Sequence, residues 1–185
     1  YAVSHYNGVM FIPASLNLKD LIDIDLSNLK SHLERLDLPF IDFVFLDCAP
    51  GLGREAISAL SASDEAIIVT NPDLPSLSDA LKVIKIAEES KVKIIGVVVN
   101  RIKGKRYELS EDEIEELLEV PVIAKIPEDD NVALSIAVKE PLVKCCPDSP
   151  AAIEIKKLAA RLCGKKFRVF KPKSLIRRFI GWLRR

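Results

Sequence analysis

Short apolar runs alternate with helical patterns four times in succession along this chain, and that alternation leaves few folds open. The runs are Phe40-Ile41-Asp42-Phe43-Val44-Phe45-Leu46, Ala66-Ile67-Ile68-Val69, the β-branched stretch at 92–99, and 120–126. A strand covered on both faces needs no polar alternation, so continuous apolar runs of this length read as buried strands. Helical patterns over 54–63, 76–90, 110–118 and 131–138 follow them in turn. The clearest places Leu77, Ala80, Leu81, Ile84 and Ala87 on one stripe. Such repetition predicts right-handed crossovers and an α/β fold, a mostly parallel sheet flanked by helices.

Other elements fit around this frame. A strand at 9–12 is stopped by Pro13, and a helical stretch covers 16–38, its second part capped by Ser27 or Asn28. Ser110 with Glu113 spells a capping box, and a last helix is predicted at 149–162. Asn7-Gly8 has only a weak run before it, so no hairpin is expected to join two strands.

At 185 residues, with 49% hydrophobic and 29% charged residues, the chain has the size and composition of one soluble globular domain. No apolar run approaches the roughly 20 residues that span a bilayer. The opening Tyr1-Ala2-Val3-Ser4-His5 lacks the features of a signal peptide and has no initiator Met, as expected of a fragment. The net charge of zero conceals an asymmetry. Residues 164–185 carry nine Lys/Arg and no acid, whereas the other 163 residues hold 18 basic and 27 acidic ones. A basic tail on an acidic body points to an anionic surface, membrane or nucleic acid. The four cysteines, Cys48, Cys145, Cys146 and Cys163, form no C-x-x-C pair. Adjacent Cys145 and Cys146 have poor geometry for a mutual disulfide, so free thiols in a reducing cytoplasm are expected.

All four runs end in polar punctuation: Asp47-Cys48-Ala49-Pro50-Gly51, Thr70-Asn71-Pro72-Asp73, Asn100-Arg101 and Pro127-Glu128-Asp129. In a parallel sheet these ends share one edge, where open α/β folds bind ligands. A carboxylate such as Asp47 can hold Mg²⁺ through water, and the Gly51 turn can offer N–H groups to an anion. The Asn100 amide can both donate to and accept from a purine edge. Lys103-Gly104-Lys105-Arg106 reads as a solvated turn.

In that order, these four motifs resemble the deviant-Walker-A ATPases, and among them the MinD-like septum-site-determining group. The resemblance implies a P-loop NTPase-like domain over 1–163, a basic linker at 164–172 and a membrane-targeting amphipathic helix at 173–185. It implies ATP and Mg²⁺ as cofactors. Asp47 would be the catalytic residue, in a switch that includes Pro50 and Gly51, and would lie near Mg²⁺ and the γ-phosphate. Asn100 would contact adenine with Arg101 beside it, and Pro127, Glu128 and Asp129 would border the base. Asp79 lies on the helix such proteins use for a regulatory partner. An ATP-bound homodimer, peripheral on the cytoplasmic face of the cell membrane, would serve as a spatial regulator of division or of another positioned assembly.

The sequence departs from that family in one respect. It has no Gly-x-x-x-x-Gly-Lys-Ser/Thr phosphate loop, no second lysine of the deviant type and no switch-I acid. The expectation is therefore the carboxyl-terminal two-thirds of such a protein, truncated at its N-terminus. ATPase activity is expected of the parent and not of this polypeptide alone. Two alternatives stand beside this one: a ParA-like DNA-partitioning ATPase and a non-catalytic membrane adaptor. No specific nucleic acid is expected as partner. Nitrogenase iron proteins place cluster cysteines after the switch strand, whereas here Cys48 sits inside the switch and Arg54 follows it.

The tail itself has two sides. At ~100° per residue, Leu175, Ile176, Phe179, Ile180, Trp182 and Leu183 share one sector and Lys173, Arg177, Arg178, Arg184 and Arg185 fill the other. Large aliphatics, a Trp and flanking Arg compose an interfacial helix. Thirteen residues cover only ~20 Å, too short to span a bilayer.

Overall fold

The structure, a computed structural model, describes residues 4–6, 8–12, 28–35, 41–48, 51 and 53–167. It divides into two units, Tyr1–Asp64 and Glu65–Arg185.

In the first unit, β1 (Ser4–Tyr6) and β2 (Val9–Phe11) form an antiparallel hairpin with Tyr6 opposite Val9. Only Asn7 and Gly8 separate them, and Gly8 has φ +83°. The hairpin that was not expected is thus present: a two-residue Asn-Gly connection needs positive φ and matches strand twist, which outweighs a weak flanking run. Helix α1 (Leu29–Glu34) packs on α2 (Arg54–Ala62), and Lys30 reaches Asp64 at 3.9 Å. Asn28 precedes α1 without a side-chain cap. The remainder of the helix expected over 16–38 lies outside the described residues.

The expected central strand is corrected. Residues 41–48 form no strand, and Phe43, Val44 and Phe45 are 53%, 57% and 74% exposed. A strand exists only where neighbouring backbone completes its ladder. Among the described residues of this unit the one ladder is the hairpin, which is self-contained. Apolar composition supplies a preference for burial but no hydrogen-bonding partner. Phe43 and Phe45 instead stack on each other with ring centroids 6.1 Å apart.

The second unit follows the predicted alternation. Strands β3 (Glu65–Thr70), β4 (Lys93–Ile102) and β5 (Val122–Pro127) make a parallel sheet in that order. Helix α3 (Leu74–Glu89) connects β3 to β4, and α4 (Glu111–Leu118) connects β4 to β5. Then come α5 (Asp130–Ala137), the short α6 (Leu142–Cys145), which the sequence did not announce, and α7 (Pro150–Leu162).

Caps account for these boundaries. The Asp73 carboxylate accepts from Ser76 N at 2.9 Å, so α3 starts two residues before the expected position, with Pro75 tolerated in its first turn. The Ser110–Glu113 capping box is complete: Ser110 N donates to Glu113 Oε2 at 2.8 Å and Glu113 N to Ser110 Oγ at 3.3 Å.

Ile68, Val97 and Val99 from the strands pack with Leu77, Ala80 and Ile84 of α3 and Ile114 and Leu118 of α4. Strand alternation turns Val98 and Ile123 to the opposite face. Both are buried, and α7 packs along β5. Arg161 Nη1 donates to Ile123 O at 3.0 Å. Where β4 meets β5 the register shifts after Val97, beside Gly96. A Cβ at Gly96 would lie 2.3 Å from Ile123 Cγ2 and 2.8 Å from Pro121 O, so the two backbones approach as only glycine allows.

Candidate functional site

Three strand ends and their loops build the carboxyl edge of the parallel sheet. After β3, Asp73 N donates to Asn71 O at 2.9 Å, and Leu109 N reaches across to Pro72 O at 3.1 Å. The β4 end differs from expectation. The sequence predicts a strand ending at Val99 with Asn100 and Arg101 as its polar stop, but β4 continues through both to Ile102. The β4–β5 ladder is irregular between Val99 and Ile102, and Arg101 takes φ +59° there. A left-handed non-glycine residue costs on the order of 1 kcal/mol or more and persists only where its surroundings hold it.

Two bonds hold it. Glu128 N donates to Ile102 O at 2.9 Å, and Arg101 Nε donates to Glu128 Oε2 at 3.1 Å. The end of β4 is thereby joined to the loop after β5 through main chain and side chain. Pro127 closes β5, half-buried, as is Asn100.

Glu128 and Asp129 diverge. Glu128 meets Arg101, whereas Asp129 accepts from Asn131 N at 3.0 Å, Asn131 Nδ2 at 2.7 Å and Ala151 N at 3.0 Å. It caps α5 and also engages the first turn of α7. The N–H groups of Ala151 and Asn131 hold its carboxyl down to about 2. Both Asp129 oxygens are therefore committed to helix amino ends.

A shallow groove of about 220 Å³ lies along this edge, lined by Asn71, Asp73, Arg101, Lys103, Tyr107 and Glu108. Sequence reasoning missed Tyr107 and Glu108. Glu108 accepts from Lys103 N at 2.8 Å and Lys105 N at 2.9 Å, and Gly104 has φ +68°. The turn read as merely solvated is an ordered backbone cradle around a carboxylate. A Gly-Lys pair three residues before an acid was the available signal. Tyr107 is 79% exposed at its rim.

Asp47 and Gly51 belong to the first unit, and both are exposed. Gly51 has φ +94°, which a side chain would strain. Burial and the charge of Asp47 push the Cys48 thiol up. Pro50 lies outside the described residues. Among the described residues no group of three or more His, Cys, Asp or Glu is placed to hold a metal ion. A lone carboxylate fits Mg²⁺, which keeps several waters and takes its remaining ligands from phosphate. Asp79 is exposed on α3, opposite the buried stripe, and pairs with Lys82 at 2.9 Å. Leu175, Ile176, Arg177, Arg178, Phe179, Ile180, Trp182 and Leu183 lie outside the described residues. Among those described, no helix is long and apolar enough to cross a membrane.

The arrangement also has relatives. The ParA family model described as an NUBPL iron-transfer P-loop NTPase matches residues 25–163. An uncharacterised ATP-binding protein of Methanocaldococcus jannaschii is 39% identical over 179 residues, which cover 95% of this chain and 67% of the relative. Among solved structures, the cell division ATPase MinD of Pyrococcus furiosus superposes with a TM-score of 0.81 at 29% identity, over 88% of this chain and 69% of that one. The septum-site-determining protein MinD of Pyrococcus horikoshii, complexed with Mg-ADP, gives 0.80 at 29% identity, over 87% and 67%. The α/β architecture read from the alternation is that of these structures.

Proposed function

Because the chain belongs to the ParA/MinD family of P-loop ATPases, we propose that it works in a MinD-like, ATP-dependent regulator of position at a membrane. Membership of a P-loop NTPase family implies ATPase activity. In this reading the nucleotide base lies on the carboxyl edge of β3, β4 and β5, beside Asn100, Arg101 and the Pro127-Glu128 turn. Asp47 carries Mg²⁺ through water, and ATP joins two copies. The basic, apolar tail meets anionic lipid, and Asp79 lies on the surface that takes a regulatory protein. The Arg101–Glu128 pair carries this reading most directly, because it joins the end of β4 to the turn after β5 beside a groove offering the Asn71 amide, cations and an aromatic ring, while Asn100 stands half-buried in β4 and does not line that groove. Those groups suit a purine nucleotide: the amide reads the base edge and a ring can stack.

Titration of the isotopically labelled chain with Mg-ATP, followed by NMR, tests the base site. The expected result is shifts concentrated at the Asn100, Arg101 and Glu128 amides, and loss of those shifts in Arg101→Ala. Shifts scattered over the surface would overturn the placement.

A second reading, DNA partitioning, is favoured by one observation: Lys105, Arg106 and Tyr107 stand exposed on a single loop. Phosphate-backbone binding weakens linearly on a log–log salt scale. Duplex-DNA binding that falls with salt and is lost in Lys105→Glu, Arg106→Glu would support it. No binding at low salt would remove it.

A further inference from the structure

We propose that Cys145 and Cys146 are a redox-active vicinal dithiol, that a low-molecular-weight disulfide oxidises them to an intramolecular disulfide, and that this oxidation releases the Asp129 tether on α7. Any consequence for nucleotide binding rests on the function proposed above, but the thiol chemistry and the tether do not.

The two residues end α6, both half-buried, and both are free thiols. The Cys145 thiol donates to Cys146 Sγ at 3.0 Å, so the sulfurs already face each other. That hydrogen bond, with burial, pushes Cys145 up to about 11, and it keeps its proton. Because the Cys145 S–H donates to Cys146 Sγ, a thiolate at Cys146 is the one the pair stabilises, and Cys146 is the attacking sulfur. As thiolate it attacks one sulfur of the small disulfide, forming a mixed disulfide and expelling one small thiolate, which takes up the proton Cys146 gave. Cys145 then attacks Cys146 Sγ and expels the second small thiolate, which leaves with the Cys145 proton. Two protein thiols are oxidised, and one small disulfide is reduced to two thiols.

Closure strains the backbone between them. Adjacent Cα atoms are ~3.8 Å apart, whereas ordinary disulfides span roughly 4.4–6.8 Å, so the Cys145–Cys146 peptide must twist. Strained disulfides are the readily reduced ones, which makes the change reversible. The twist meets a connected set of hydrogen bonds. Cys146 N donates to Leu142 O at 2.9 Å, and Cys146 O accepts from Ser149 N at 3.1 Å. Ser149 caps α7 by accepting from Ala152 N at 3.2 Å. The neighbouring amide, Ala151 N, is the donor to Asp129. The twisted peptide carries Cys146 N, so closure pulls on the bond to Leu142 and turns φ at Cys146; the Cys146 carbonyl, in the next peptide, and the Ser149 cap that aims Ala151 at Asp129 move with it.

The test treats the full chain with oxidised glutathione and reads intact mass, thiol count and the exchange rate of the Ala151 amide. We expect the Cys145 and Cys146 thiols to disappear with the loss of two hydrogens and no glutathione retained on either, and dithiothreitol to reverse the change. Ala151 exchange should rise roughly tenfold, as for loss of a hydrogen bond to a charged group. A Cys48→Ser, Cys163→Ser variant should behave identically, and Cys146→Ser should lose the response. A stable glutathione adduct or an intermolecular crosslink in the Cys48→Ser, Cys163→Ser variant, which lacks the two exposed thiols, or a response that survives Cys146→Ser would overturn the dithiol. Disulfide formation with unchanged Ala151 exchange would overturn the coupling.

Discussion

The main-chain N–H of Ala151 donates to the Asp129 carboxylate at 3.0 Å, joining residues 22 positions apart. Asn131 N binds the same carboxylate, so the turn that ends β5 is fixed to the amino ends of two helices at once. Helix amino ends favour anions, and the bonded charge keeps this one ionised. The Pro127-Glu128 turn, which carries the partner of Arg101, is positioned by that anchor.

Asp129→Asn should therefore destabilise the second unit. The folded carboxyl titrates at about 2, below the ordinary Asp value near 3.9 in an unfolded chain. A depressed folded value means that the charge contributes stability in full above the unfolded pKa. That contribution is lost as pH falls from about 4 through about 2. Thermal melts should show wild type above the variant by about 5 °C at pH 7, with the gap closing toward pH 2. A gap that stays constant over that range would mean the charge contributes nothing.

Gly96→Ala tests the closeness of β4 and β5. The new methyl would meet Pro121 O, which accepts from Val97 N at 2.9 Å, so relief by moving the carbonyl breaks a ladder bond. Overpacking of this kind costs about 1–3 kcal/mol. Urea denaturation should show a lower midpoint with an unchanged slope. An unchanged midpoint would mean that the strands separate there without loss.

The parts of this fold legible in the sequence are those whose cause is local. The Ser110–Glu113 box, the Leu77–Ala80–Ile84 stripe and the β-branched run of β4 each declare themselves within a turn or a strand. What was illegible depends on distant partners. Residues 41–48 have strand composition, but a ladder needs a neighbour that composition cannot supply. Asn100 and Arg101 look like a stop, yet β4 runs on because Glu128, 27 residues after Arg101, bonds to Ile102 and Arg101 together. Asp129 reads as one more acid on a ligand-binding edge. Its engagement with Ala151 appears only once α7 is in place. The Asn7-Gly8 hairpin is the reverse case, a local signal discounted because its flanks are short.

Asp47→Asn should abolish hydrolysis in the protein that carries the phosphate loop, while the fold is unaffected. Asp47 is exposed, and in the function proposed above its carboxylate would face a water-bound Mg²⁺. The amide keeps its shape and removes its charge. Steady-state turnover should fall by at least about a hundredfold, with an unchanged melting temperature. Wild-type turnover in this variant would take Asp47 out of the mechanism.

The tail gives the prediction that bears most on where the protein acts. The sequence of residues 173–185, wound as the expected helix, would set an apolar sector containing Phe179 and Trp182 against an opposite sector of Lys and Arg. Each basic side chain near anionic lipid is worth on the order of 1 kcal/mol, and apolar burial adds to it. A single such segment binds weakly, but two held in one dimer gain through effective concentration. Co-sedimentation with anionic vesicles should therefore rise when ATP joins two copies, and fall with added salt. Phe179→Glu, Trp182→Glu should lose most of the binding while keeping every cation. A variant with Arg177 and Arg178 changed to Gln should instead lose the preference for anionic over neutral vesicles. Equal binding by wild type and the Phe179→Glu, Trp182→Glu variant would show that charge alone brings the chain to the surface. The apolar sector would then have no part in anchoring it.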